Sequence, residues 1–356
     1  MSMSTRLRMF LAAAFLVLPL CSSASAQYVR TDLVTDSGAG GTVADGNLVN
    51  AWGLTALPGS PFWVSDNATG KSTLYTGAGQ KIPLVVTVPG LLGTQGTPTG
   101  IVGNPVPTDF IITENGKSAH AIFIFATLDG TISGWNPNVG GLSATIAKDR
   151  SDAGAVYTGL AIGSNQGHNF LFAADGGANR RIDVFDATFH LADLGPDAFA
   201  DPKIPRNFTP YGIQTIANKD GSETVWVTYT ALNKAQGGFI DAFTTAGVLI
   251  HHFAVQGPLH SPWGIAQAPA DFGPLSNALL VSNNISRGRI NAFDPNTGQF
   301  LGPLRDESNN PIEIDGIWAI QFGQDGGPNG RHNELFFTAG PSTYLSGTFG
   351  VITVGP

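Results

Sequence analysis

Cysteine is almost absent from this chain of 356 residues, which contains a single one, Cys21. Cys21 lies in an N-terminal segment that has the features of a cleaved leader. We therefore expect the mature protein to contain no disulfide bond, no thiolate metal site and no cysteine nucleophile. Its stability must come from burial of a core, which a chain of this length can supply.

The leader has the three parts of a secretory signal peptide. A short basic start is followed by an apolar run from Met9 to Leu20 and by Ala24-Ser25-Ala26, a form that signal peptidase accepts. We predict cleavage before Gln27, which makes residues 1–26 the signal peptide and residues 27–356 a single domain. Because the apolar run is too short to span a bilayer comfortably, we expect no membrane span after cleavage. The expected location is the periplasm or the extracellular space.

Charged residues are also scarce, at 12% of the chain, and acidic ones dominate. There are 18 Lys and Arg residues against 26 Asp and Glu residues, for a formal net charge of −8. Such a surface repels phosphate backbones, so the composition argues against nucleic acid as a partner.

Long amphipathic helices are missing as well. No segment shows a sustained apolar period of 3.6 residues, whereas short β-branched and aromatic runs recur throughout the chain. The 46 Gly and 23 Pro residues indicate many tight turns between these runs. The chain is therefore predicted to be all-β.

A repeat, at intervals of roughly fifty residues, predicts the architecture. An aromatic residue or Thr is followed by a small residue and then by an aliphatic one. The six copies are Trp52-Gly53-Leu54, Thr99-Gly100-Ile101, Thr158-Gly159-Leu160, Tyr211-Gly212-Ile213, Trp263-Gly264-Ile265 and Trp318-Ala319-Ile320. Each copy is followed by further strand-like segments, such as Phe62-Trp63-Val64 and then Leu74-Tyr75 in the first repeat. This pattern predicts a six-bladed β-propeller of four-stranded antiparallel blades.

The sixth repeat has no fourth strand of its own, because the chain ends soon after Val351-Ile352. A spare strand, Val29 to Thr35, precedes the first repeat. We predict that this N-terminal strand completes the last blade and closes the ring, which removes exposed sheet edges.

Three segments carry a family resemblance. Asn47–Leu54, read with Phe62–Asn67, resembles the corresponding region of a family of uncharacterised exported bacterial proteins, and Ser261–Ile265 also fits it. The resemblance covers nearly all of residues 27–356. It implies a propeller of the NHL-repeat type and an exported location, and it implies no activity and no catalytic residue.

In a propeller, ligands usually bind at one mouth of the central channel. The loops that precede the first strand of each blade and those that follow the second strand form this mouth. Projected onto the repeat, these loops supply aromatic rings, amides and carboxylates, a mixture expected of a pocket for a small polar molecule, a sugar or a peptide. The candidate ligand-binding residues are Asn50, Trp52, Asn67, Asp175, Tyr211, Tyr229, Trp263, Asn283, Asp315 and Trp318. The alternative is that the aromatic residues pack between blades and the polar ones satisfy turn backbone.

The residues indicate no particular cofactor or metal. Ca²⁺ would need several oxygen ligands, which Asp66, Asn67, Asp175, Asn283 and Asp315 could supply if they converged across the channel. Lactonases of the gluconolactonase type use such a metal on this fold, with a glutamate among the ligands, but only Glu313 lies near the predicted mouth. A second signal, His251-His252 on an outer strand with His260 in the next loop, is a weak indication of a surface metal site.

Catalytic motifs are absent: there is no G-x-S-x-G, no H-E-x-x-H and no P-loop. We therefore expect a monomeric, exported binding or protein-interaction scaffold whose ligand is not specified. The alternative is a metal-dependent hydrolase of the lactonase type that uses the central channel.

Overall fold

A computed structural model describes residues 27–232 and 237–355. The predicted signal peptide at residues 1–26 lies outside the described residues. The described chain forms six antiparallel sheets and one small hairpin, so almost all of its regular structure is β.

Each of the first three blades begins at the channel and ends at the outer edge. Blade one consists of Ala51–Thr55, Phe62–Asp66, Lys71–Tyr75 and Lys81–Thr87. Blade two consists of Pro98–Gly103, Phe123–Thr127, Thr131–Trp135 and Thr145–Asp149, with an inserted hairpin of Ile111–Glu114 and Lys117–His120. Blade three consists of Tyr157–Asn165, His168–Asp175 and Arg181–Asp186, and an isolated bridge from Phe185 to Leu191 takes the place of its outer strand.

The last three blades follow the same order. Blade four consists of Phe208–Ala217, Glu223–Ala231, Phe239–Thr244 and Leu249–Val255. Blade five consists of Pro262–Gln267, Leu279–Asn283, Ile290–Phe293 and Phe300–Pro303. Blade six consists of Ile317–Phe322, Leu335–Ala339, Thr348–Val354 and the N-terminal strand Tyr28–Thr35, which Val43–Ala44 extends in parallel.

In the described residues, helical structure is limited to single turns. The 3₁₀ turns are Ala39–Gly41, Leu91–Gly93, Ser151–Ala153 and Gly273–Leu275, and a further turn is Pro341–Tyr344. None of the helices in the described part of the chain has the length and hydropathy that a membrane crossing needs.

The N-terminal strand closes the ring, as the repeat predicts. It pairs antiparallel with the third strand of blade six, from Tyr28 opposite Val354 to Thr35 opposite Thr348. Each inner strand also contacts the inner strand of the next blade, and that of blade six contacts that of blade one. The predicted six-bladed, closed propeller is therefore confirmed.

The small residue of the repeat lies where neighbouring inner strands approach most closely. A Cβ atom added to Gly212 would clash with the backbone oxygen of Trp263, and one added to Gly53 would clash with that of Thr99. Glycine therefore allows the inner strands to pack backbone against backbone around a narrow axis.

The first two residues of the repeat form a bulge opposite one residue of the second strand. In blade five this residue is Ser282, whose hydroxyl accepts the N–H of Gly264 at 2.8 Å and donates to the carbonyl of Trp318 in blade six at 2.6 Å. One hydroxyl thus satisfies a bulge amide of its own blade and joins two blades.

The position of this hydroxyl depends on the residue that opens the repeat. Blades four, five and six open with an aromatic ring and carry the hydroxyl on the second strand, at Thr228, Ser282 and Thr338. Blades two and three open with Thr and have Ala opposite the bulge, at Ala126 and Ala174. There the Thr itself bridges the blades, since Thr99 Oγ1 donates to Tyr157 O at 2.7 Å.

Candidate functional site

Three tryptophans of the repeat meet at the centre of the ring. The rings of Trp52 and Trp318 stack with centroids 3.7 Å apart, and Trp263 meets both edge-on, at 6.5 and 5.9 Å. All three side chains are buried, with 2–8% of their surface exposed. They therefore pack mainly against one another at the positions that the repeat assigns to the channel mouth.

The channel beneath the tryptophans is narrow. Its cavity measures ≈ 20 Å³ and is lined by the inner strands, including Gly53, Gly100, Gly264 and Ile213. A space of this size has room for about one water molecule, so this part of the channel cannot hold a larger ligand.

Two side-chain amides from the predicted set hold this aromatic cluster by hydrogen bonds. Asn50 accepts the indole N–H of Trp318 at 2.9 Å and donates to Asn67 at 3.1 Å, and Asn67 in turn donates to the carbonyl of Pro98. Both amides are buried. They hold the Trp318 ring in place and connect blade six to blades one and two.

A second polar and aromatic layer covers Trp318. Tyr344 places its ring 5.5 Å from Trp318 and donates its hydroxyl to Asn284 Oδ1 at 2.8 Å. Tyr211 lies 5.8 Å from Trp318 and donates to the same oxygen at 3.4 Å. Burial raises the pKa of Tyr211 well above its usual value and raises that of Tyr344 as well, so both phenols remain protonated donors near neutral pH.

Tyr344 is the most exposed ring of this group, with 36% of its surface accessible. It belongs to the turn Pro341–Tyr344, in which Ser342, Thr343 and Tyr344 adopt left-handed conformations with φ of 56°, 58° and 68°. Asp315 holds this turn, because its carboxylate accepts the N–H of Ser342 at 2.9 Å. Three consecutive non-glycine residues in this region store strain, and such strain is concentrated at binding sites.

A polar pocket adjoins the turn on the rim between blades five and six. It measures ≈ 260 Å³, and the residues that line it include Arg30, Ser286, Arg287, Glu313, Asp315 and Pro341. The Glu313 carboxylate bonds to Arg287 and to Arg289, each at 2.6 Å, and these hydrogen bonds lower the pKa of Glu313. We call Tyr211, Asn284, Asp315 and Tyr344, together with this pocket, the mouth site.

The structure places three predicted residues away from the mouth site. Asp175 accepts the N–H groups of Val156 and Gly177, and Asn283 bonds to the backbone of Pro258 and His260, so both serve their own loops. Tyr229 packs in the core shared by blades three and four. The repeat predicts their positions along the strands, but it does not predict the hydrogen bonds to loop backbone that orient the side chains.

The oxygens considered for Ca²⁺ do not form a common site either. Asp175, Asn283 and Asp315 are bonded within separate loops, and Asp66 is fully buried with no hydrogen-bond partner for its carboxylate oxygens. Burial raises the pKa of Asp66 well above its usual value. Within residues 27–232 and 237–355, no three His, Cys, Asp or Glu side chains converge on the channel.

Sequence reasoning missed Tyr344 as a member of the site. It lies in the loop after the second strand of blade six, the loop type assigned to the mouth, but five residues beyond the end of Leu335–Ala339. Its signal is a tyrosine in a stretch of small and polar residues. Asn284 has a different signal, which the repeat does give, since it directly follows the second strand of blade five.

Comparisons with solved structures show the propeller fold alone. A catalytically inactive virginiamycin B lyase from Staphylococcus aureus is 17% identical, with a TM-score of 0.50, over 95% of this chain and 98% of that one. A glucose dehydrogenase is 13% identical, with a TM-score of 0.50, over 92% of this chain and 99% of that one. No protein-family model matches the chain.

Two sequence relatives are viral. Uncharacterized protein R648 of Acanthamoeba polyphaga mimivirus is 31% identical over 86% of this chain and 76% of its own length. Uncharacterized protein L690 of the same virus is 32% identical over 77% of this chain and 73% of its own length. The bacterial source implied by the earlier resemblance therefore stays a prediction. The chain belongs to the protein family that includes these two mimivirus proteins.

Proposed function

We propose that this propeller is an exported binding protein that takes a small polyhydroxylated ligand, of the size of a monosaccharide, at the mouth site. The observation that carries the proposal is the exposed ring of Tyr344, fixed over Trp318 beside a polar pocket. Aromatic rings stack on the apolar faces of sugars, while carboxylates and amides bond to their hydroxyl groups.

The chemistry of the pocket supports a neutral or zwitterionic ligand over a highly charged one. Glu313 is already neutralised by two arginines, and Asp315 carries the remaining carboxylate beside the Tyr344 turn. The volume of ≈ 260 Å³ lies just below the usual range of ligand cavities, about 300–1,000 Å³, which favours a compact molecule. The overall negative charge of the chain supports the exclusion of nucleic acids.

Export is supported by the pattern of residues 1–26 alone. Expression of the full gene in a bacterial host followed by mass spectrometry of the extracellular and periplasmic fractions tests it. The expected product begins at Gln27, and a product that stays in the cytoplasm with residues 1–26 attached would contradict export.

Binding is tested by titrating the protein with glucose, galactose and mannose while tryptophan fluorescence and calorimetric heats are recorded. The Trp318 ring lies directly under Tyr344, so a sugar that binds there should change the emission. We expect Tyr344→Ala to weaken the binding at least tenfold, since it removes the exposed ring and its bond to Asn284.

The matched control is Phe300→Ala, which removes an aromatic ring of 43% exposure from the outer strand of blade five. This variant should bind like the wild type. Equal affinity of the wild type and Tyr344→Ala would contradict the mouth site. A response to triglycine with none to the sugars would replace the sugar class by a peptide.

A further inference from the structure

A cluster of two carboxylates and one imidazole lies in blade four, away from the mouth site. Asp241 is on the third strand, His252 is on the outer strand opposite it, and Asp201 comes from the strandless segment that precedes the blade. His252 Nδ1 is 2.7 Å from Asp201 Oδ2 and 2.7 Å from Asp241 Oδ1. The two carboxylate side chains are 1% and 0% exposed, and the imidazole is 14% exposed.

These three side chains cannot satisfy all of one another's hydrogen-bonding groups. Nδ1 carries at most one proton, so it can donate a hydrogen bond to only one of the two carboxylates beside it. In the structure this bond goes to Asp241, which leaves Asp201 Oδ2 buried without a hydrogen-bond partner. The second oxygen of Asp241 is also buried without one. A buried oxygen left without a partner is costly, so the arrangement calls for a further positive group.

Related carboxylates in other blades have such a group. Asp45, in the loop before blade one, bonds to Lys81 at 2.8 Å, and Asp183 in blade three bonds to Arg181 at 2.6 Å. Among the residues that the structure describes, no Lys or Arg nitrogen lies within 4.0 Å of Asp201 or Asp241. The cluster thus contains two carboxyl groups and only one imidazole, so its acidic groups outnumber its basic ones.

We infer that Asp201, Asp241 and His252 form a binding site for a divalent transition-metal ion, of which Zn²⁺ is the best match. Their ligand atoms lie within 4.8 Å of one another. Ligand atoms about 2.0–2.2 Å from a tetrahedral Zn²⁺ lie about 3.3–3.6 Å from one another. His252 Nδ1 and each carboxylate oxygen, now 2.7 Å apart, therefore need to separate by about 0.6–0.9 Å. An imidazole with two carboxylates suits zinc, whereas Ca²⁺ would require six or more oxygen ligands.

A route to this site exists in the structure. A cavity of ≈ 510 Å³ beside it is lined by Asp201 and Tyr229, along with Arg180 and Arg206. A water molecule or the Tyr229 hydroxyl can complete the fourth position from this side. The ion would attach the segment around Asp201 to the two outer strands of blade four, in the place where blade three lacks an outer strand.

The experiment begins with the wild-type protein freed of metal by dialysis against EDTA. Calorimetric titration with ZnCl₂ should give one ion per chain with a Kd of about 1 µM or lower. Zinc in excess should raise the Tm by about 3–5 °C, since an ion that binds only the native state stabilises it. CaCl₂ should leave the Tm unchanged.

Two variants locate the site, and a neighbour serves as the control. Asp201→Asn and His252→Gln should each weaken zinc binding at least tenfold and abolish the rise in Tm. His251→Gln, which removes an exposed imidazole from the adjacent position, should keep both. In EDTA, Asp201→Asn should melt no lower than the wild type, because it relieves the repulsion between two buried carboxylates.

Four results would overturn the inference. The wild type could bind no zinc. Zinc binding could survive in both site variants, or His251→Gln could lose it equally. An equal rise in Tm with CaCl₂ would rule out the selectivity for a transition metal.

Discussion

Asp66 is a buried carboxyl group whose protonation affects the stability of this fold. It ends the second strand of blade one, is 0% exposed, and has no hydrogen-bond partner for either oxygen. Burial raises its pKa well above the usual value, and the nearby Asp45 carboxylate adds to that rise. Above its unfolded pKa of about 3.9, the native protein therefore retains a proton that the unfolded chain releases.

We expect Asp66→Asn to stabilise the protein at pH 7 by about 1–3 kcal/mol, because an uncharged amide replaces a buried acid that lacks partners. The sign follows from linkage. Where the native state holds more protons than the unfolded state, stability falls as pH rises from the unfolded pKa toward the raised native pKa. The gain of the variant should therefore be small at pH 4 and larger at pH 7, as measured by urea unfolding.

The exposed Asp152→Asn variant is the control for the chemistry of the substitution, and its stability should change by under about 0.5 kcal/mol. A loss of stability in Asp66→Asn at pH 7 would show that the carboxylate is ionised and paired in the native protein, contrary to this account.

At the level of single residues, the sequence predicts only part of the site. Tyr211, Trp318 and Asn50 occupy repeat positions, and the structure brings them together at the axis. Tyr229 also occupies such a position, but its ring turns into the core between blades three and four. Strand position can be predicted from the repeat, whereas the direction of a loop side chain depends on bonds made by neighbouring blades.

At the scale of the strand, one hydroxyl connects adjacent blades at blades two, three, five and six. Either the first residue of the repeat provides it, as Thr99 does, or the second strand provides it, as Ser282 does. The aromatic members of the repeat are compatible only with the second arrangement, because they carry no hydroxyl at the bulge. Because either position can supply the hydroxyl, the repeat can begin with Thr or with an aromatic residue and the fold is retained.

Moving the hydroxyl tests this explanation. Thr99→Val should destabilise the protein by about 1–2 kcal/mol, since the buried carbonyl of Tyr157 loses the hydroxyl that donates to it at 2.7 Å. Adding Ala126→Ser, on the pattern of Ser282, should restore at least half of that loss. Guanidinium unfolding of both single variants and the double variant completes the cycle. Additive effects would mean that the two positions do not share one role.

At the scale of the whole molecule, the fold was more predictable than the site. Six copies of one repeat and a spare N-terminal strand imply the number of blades and the closure of the ring, because each blade needs the same packing. The repeat does not reveal that Trp52, Trp263 and Trp318 fill the centre of the ring. Whether they line an open mouth or pack together depends on the ring diameter, which the close approach at Gly53 and Gly212 sets.

Deleting the N-terminal strand tests how much ring closure contributes to stability. Deleting residues 27–35 removes a strand that contributes the buried side chains of Tyr28 and Val34 and leaves Thr348–Val354 as an unpaired edge. We expect the truncated protein to melt at least about 10 °C lower and to aggregate, because an open edge can pair with other chains. Light scattering during thermal unfolding measures both effects.

If ring closure requires only that the closing strands pair, the chain ends can be moved from blade six to another blade with little loss of stability. Gly355 N–H donates to Gln27 O, so a short linker can join these residues. A permuted chain opened at Gly221, an exposed turn with free space around it, would make blade six continuous and leave blade four to be closed by pairing. We expect its Tm to lie within about 5 °C of that of a chain beginning at residue 27, since the same sheets form and only loop entropy changes. A drop as large as that of the truncated protein would show that blade six, and not closure in general, holds the ring together.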